Sequence, residues 1–206
     1  MRRPIEEHQR QAWQVHARAE GFELLDVWRF PIQIAPEVPL KSFLDFRTQL
    51  LADFTKQRSL AGSLFALRAW LGQVFGWDGE RTESEASVPF EPVYRLAEEE
   101  LLEIENATVH AFMHIGRVAL DCSESDQGGA GSAGGESGAG EMLGMWAPQM
   151  GVYVKPKGFF GQAYMAAIAP FRHWIVYPAL MRAVAREWPV YLAGQSSEGQ
   201  GSEGQS

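Results

Sequence analysis

Cysteine, bases in two of its stretches, and long apolar runs are what this chain has least of. Cys122 is the only cysteine in 206 residues, so no intrachain disulfide can form. Residues 121–141, DCSESDQGGAGSAGGESGAGE, hold five acids and no Lys or Arg, and the tail 193–206 adds Glu198 and Glu203 with no base. Without those seven acids, 19 acids face 18 bases, so the formal charge of -8 belongs mostly to these two stretches. The acidity then speaks for solubility rather than for a partner. A nucleic-acid footprint needs a broad basic face and is not expected. The longest apolar run, AYMAAIAPF before Arg172, is too short to span a bilayer. The start, MRRPIEEHQRQAW, has bases but no apolar region behind them, so no signal peptide is expected and the cytoplasm is the expected location.

Aromatic residues, by contrast, are plentiful: 12% of the chain, with seven Trp and twelve Phe, within 46% hydrophobic and 21% charged residues. That suits one globular domain, 1–192, with a large core or an apolar cavity. Pro4, Glu6 and Glu7 can open an N-terminal helix within 1–21, which Gly21 can close. FELLDVWRFPI alternates as a strand stopped by Pro31. Two helices are expected next, Leu40 to Phe54 and one capped by Ser59 with Leu60, Leu64, Leu67, Leu71 and Val74 on one stripe.

Strands return at 90–96, 98–105, 108–120 and 145–155, with Asn106-Ala107 as a hairpin turn between the second and third. The Gly/Ser/acid stretch 123–141 reads as a disordered loop insert. Its Gly129–Gly134 segment matches G-x-G-x-x-G, but no helix follows to meet a pyrophosphate, so no dinucleotide is expected. A long C-terminal helix, kinked or divided by Pro170 and Pro178, runs from about Phe159 to Trp188, ahead of a disordered tail 193–206.

NATVHAFMHIG poses the sharpest local question. On a helix, His110 and His114 would share a face as in H-E-x-x-H metal sites, but the glutamate is missing. Thr108, Val109, Phe112 and Ile115 favour strand, which places the two imidazoles on one face about 13 Å apart, too far to share a metal ion. No metal or cofactor is expected. The opposite face, Val109, Ala111, Met113 and Ile115, should cover the core. The histidine face is then half-solvated or against another chain, or puts one histidine in a cavity wall.

Helix, strand, two helices, a strand meander and a final long helix make an α+β pattern. In that order they suit a curved antiparallel sheet gripping a Pro-kinked C-terminal helix. This order resembles the START-like, helix-grip (SRPBCC) superfamily. FELLDVWRFPI, LFALRAWLGQVFGWD, PFEPVYRL, NATVHAFMHIG and GVYVKPKGFFGQAYMAAIAPFRHWIVYPALMR resemble a bacterial branch of it, domain of unknown function 2867. The resemblance implies a cavity between sheet and C-terminal helix, which across the superfamily holds lipids, sterols, polyketides or other apolar molecules and in some members supports cyclisation or hydrolysis. It carries over no catalytic residue.

The expected function is therefore binding of a small apolar or amphipathic molecule. Trp28, Tyr94, Phe112, Met150, Tyr153, Tyr164 and Phe171 are candidate walls, with His110, His114 and Arg172 as polar contacts. A cavity enzyme using His110 and His114, with Glu105 as a further titratable group, is one alternative. The chain has no G-x-S-x-G nucleophile for it. A weak peripheral membrane or partner contact is the other, since five bases and one acid, Glu187, lie between Trp146 and Leu192 among aromatics.

Overall fold

The computed structural model describes residues 1–56, 91–105, 108–120 and 144–200. The helix expected from Ser59, the turn at Asn106-Ala107 and the loop 123–141 lie outside them. Five strands form one antiparallel sheet: β1 (Glu23–Arg29), β2 (Glu91–Arg95), β3 (Glu99–Glu105), β4 (Val109–Ala119) and β5 (Trp146–Pro156), in the order β1-β5-β4-β3-β2. The strands expected from alternation fall within a residue or two of these bounds. With helices before and after, the molecule is α+β with an open sheet.

β4 and β5 are the long central pair, in register from Val109↔Pro156 to Ala119↔Trp146. Because side chains alternate along a strand, this register sorts every residue onto one of two faces. Ile115 and Met150 point to one; Phe112, His114 and Tyr153 point to the other.

The first face carries the helices. α3 (Leu40–Lys56) contributes Leu40, Phe43, Leu44 and Phe46 to a buried cluster with Ile115, Met150 and Trp146. The C-terminal helix joins them through Tyr177, Met181, Val184 and Trp188, whose indole lies 5.8 Å from the Phe43 ring and 5.2 Å from that of Phe46. Burying a large side chain of this kind contributes about 1.5–3 kcal/mol.

That helix is divided as the prolines suggest, into α4 (Gly158–Phe171), a π-helical turn (Arg172–Val176) and α5 (Tyr177–Gln200). Pro170 removes a donor amide just before the turn, which is where a helix accommodates an extra residue. α4 touches the sheet lightly, through Met165 against Val109, Ala111 and Val154. α5 does not stop near Trp188: it continues to Gln200.

The second face is covered around His114, which is fully buried, and half-solvated around His110, whose side chain is 23% exposed beside the more exposed Glu103 and Glu105. The N-terminal segment lies over it as two short helices, α1 (Ile5–Gln9) and α2 (Val15–Arg18), in place of the single helix expected over 1–21. The chain breaks between them so that Trp13 can turn inward. Trp13, Val15 and Ala19 are buried with Leu24, Val27, Leu101, Phe112 and Tyr153. The polar look of EEHQRQAW conceals a lid on the sheet.

Candidate binding site

On the lidded face, two glycines make the room. Gly116 and Gly151 sit on neighbouring strands, and a Cβ on either would come within 2.5 Å of the Trp13 or the His8 ring. Into these notches go Trp13 and His8, both against His114, at ring separations of 4.6 and 5.1 Å. His114 is fully buried and its Nε2–H donates to Glu99 at 2.9 Å. The same carboxylate accepts from the Gln14 amide at 2.7 Å and the Tyr94 hydroxyl at 3.0 Å. Burial pushes the Glu99 carboxyl up, but these three donors outweigh it and hold it below its usual range. Burial holds the His114 imidazole low despite Glu99, so the pair is neutral imidazole on carboxylate.

His8 is also fully buried. The Gln149 amide donates to its Nδ1 at 3.2 Å, and burial, with His114 and His16 adding to it, pushes its pKa down to about 3. Tyr153 hydroxyl and His16 Nδ1 are 3.2 Å apart, and burial raises the Tyr153 phenol. Among the described residues of this layer, His8 Nε2 and His114 Nδ1 are buried without a partner.

His110, two residues from Phe112, takes no part in that layer. It meets Glu103 at 2.5 Å and the Phe22 ring at 4.8 Å. Glu103, Glu105 and His110 bring three possible ligand atoms within 4.8 Å of one another. Lys157 lies on Glu105 at 2.8 Å, however, and Lys155 stands opposite His110 in the sheet. With the Lys157 ammonium already on one of the two carboxylates, little charge is left to hold a cation.

The helix face has a different centre. β1 carries a bulge between Leu24 and Asp26, which turns Asp26 toward the helices, two residues before Trp28. The Asp26 side chain is completely buried. It accepts from Arg172 at 2.9 Å, from the Tyr177 hydroxyl at 3.2 Å, and from His173 Nε2. All three donors come from the π-helical turn or the residue after it, so one irregularity in the sheet meets one in the helix. Burial, and then the Asp26 charge, push the Tyr177 phenol well above its ordinary value. The Trp28 and Tyr177 rings lie 5.1 Å apart. Trp28 Nε1 and Arg172 Nε are buried without an acceptor.

The candidate residues thus separate. Trp28, Met150 and Arg172 belong to the helix face; Tyr94, His110, Phe112, His114 and Tyr153 belong to the other. Phe171 is partly exposed at the end of α4. Tyr164 is on α4, with its side chain outside the described atoms. His110 and His114 therefore do not face the space between sheet and C-terminal helix. Asp26, His173 and Tyr177 were missed. An acid on the same alternation as Leu24 and Trp28 was the available signal, since a carboxylate among core positions has to find partners.

Fold and site together define an α+β protein with an open five-stranded sheet whose C-terminal helix is broken over a buried, multiply bonded aspartate. A family model described as "Protein of unknown function (DUF2867)" matches residues 18–179. The chain belongs to that family. No curated protein and no solved structure matches it.

Proposed function

We propose that this is a START-like, helix-grip protein that binds a small apolar or amphipathic molecule between its sheet and its C-terminal helix. The observation that carries the reading is the pair of buried, uncommitted donors around Asp26, Trp28 Nε1 and Arg172 Nε. A buried donor without an acceptor costs about 1–3 kcal/mol, which a ligand oxygen would recover on binding. Met150, Val152 and Tyr177 supply apolar surface for the rest of such a molecule. The element order, with a final helix laid on one face of an antiparallel sheet, supports the superfamily assignment. A cytoplasmic setting goes with this reading. The enzymatic alternative loses its motive where it relied on His110 and His114, because both lie on the other face of the sheet.

Native mass spectrometry of freshly purified protein is the direct test, with a co-purified adduct as the expected result. Trp28→Phe keeps an aromatic ring and removes the indole donor, so retention of an oxygen-bearing ligand should fall about tenfold. Protein that carries no adduct, and takes up none of a panel of fatty acids and sterols, overturns the proposal.

A further inference from the structure

Helix α4 and the turn after it carry a stripe of apolar side chains in the open. Phe159, Phe160 and Trp174 are 78%, 71% and 78% exposed, and Phe171 and Ile175 are exposed as well. Ala163, Ala166 and Ala167 are exposed between them. Phe160, Ala163, Ala167, Phe171 and Trp174 follow one another at steps of three and four, with Phe159, Ala166 and Ile175 beside that row, so they lie on one side of the helix. From Phe159 to Ile175 the stripe is about 24 Å long. α4 has no charged residue, and the sheet holds it mainly through Met165 and through Gly161, which lies against the Thr108 carbonyl. A patch of this kind marks a place where something apolar is met.

We infer that the stripe docks on an anionic phospholipid bilayer, lying in the headgroup plane. Among the described residues no helix is long and apolar enough to cross a membrane, which leaves contact along the surface. Phe and Trp are side chains that settle at that depth. Charge selects the partner. From Gly158 to Arg186 there is no acid. Lys157 stands at one end of the stripe, and at further steps of three and four along α5 come exposed Arg182 and Arg186. Lys157 and Arg186 have acidic neighbours, Glu105 and Glu187. The Arg182 Nε meets the Pro178 carbonyl at 3.1 Å, a partner that leaves its charge unbalanced. An anionic lipid surface complements these cations, whereas a two-fold pairing of the same stripe would bring like charges together.

The test is co-sedimentation of the full chain with phosphatidylcholine vesicles, with and without phosphatidylglycerol, at low and high salt. Partition should rise about tenfold with the anionic lipid and fall again with salt. Phe159→Asp/Phe160→Asp should lower it about a hundredfold, and Arg182→Gln about fivefold. Both phenylalanines are exposed, so the double variant should keep its melting temperature. Trp174→Ser, equally exposed, gives the same reading should the double variant not fold. Wild-type protein that stays in the supernatant overturns the inference, as do variants that sediment unchanged. So does a wild-type dimer by light scattering that the double variant dissociates and that ignores vesicles, since a second copy then covers the stripe.

Discussion

His114 and Glu99 form a buried pair, Nε2 to carboxylate at 2.9 Å, with both side chains almost entirely out of solvent. Glu99→Gln removes the charge around which His114, Tyr94 and the Gln14 amide are arranged. Stability should fall by about 2–4 kcal/mol, read as a lower urea midpoint with an unchanged slope. A loss below about half a kcal/mol, the size of a surface change, contradicts the buried pairing.

The buried His8 sets a pH dependence. Its folded pKa is pushed down to about 3 from 6.5, so between those values the unfolded chain binds a proton that the folded chain refuses. Stability from this group is complete above pH about 6.5 and is lost as the pH falls toward 3, with a limiting slope of about 1.4 kcal/mol per pH unit. The lowered Glu99 carboxyl acts in the same direction once the pH falls below its ordinary value of 4.5. Urea midpoints should decline below pH 6.5 in the wild type and decline less steeply in His8→Leu. Parallel profiles for the two proteins would remove His8 from the account.

Filling either notch should lift the lid. Gly151→Ala sets a methyl within 2.5 Å of the His8 ring, and Gly116→Ala does the same to Trp13. Each should cost about 1–3 kcal/mol. Limited proteolysis should then cut within residues 5–19 sooner than elsewhere, because the strain falls on that segment rather than on the sheet. Unchanged protection of the segment would place the covering elsewhere.

Removing the buried aspartate strands its partners. Asp26→Asn leaves the Arg172 guanidinium, itself mostly buried, beside a neutral amide, and should cost about 3–5 kcal/mol. Replacing Arg172 as well, in Asp26→Asn/Arg172→Met, should recover part of that loss, because the uncompensated charge goes with it. A double variant no more stable than Asp26→Asn alone argues against the pair.

The strands were legible because alternation and turn residues agree locally: FELLDVWR and TVHAFMHIGRVAL leave little choice of structure. The division at Pro170 was legible for the same reason, a missing amide in a helical run. What could not be read was how distant segments meet. His114 looked half-solvated because the side chains that cover it, His8 and Trp13, stand about a hundred positions earlier in a polar-looking stretch. Only the paired glycines at 116 and 151 hinted at it. A site divided between two faces was likewise out of reach of local pattern, since aromatic and histidine candidates on one strand look alike until a neighbour's register is known. Asp26 needed the bulge to turn it, and a bulge leaves no mark in alternation beyond an acid at a core position.

The bulge in β1 and the π-helical turn after Pro170 each accommodate one extra residue, and Asp26, at the bulge, bonds directly to the turn. Shortening either element alone would restore its regular geometry and swing its half of the ionic knot out of reach. The two irregularities are therefore tied in length: changing one alone parts Asp26 from the donors of the turn.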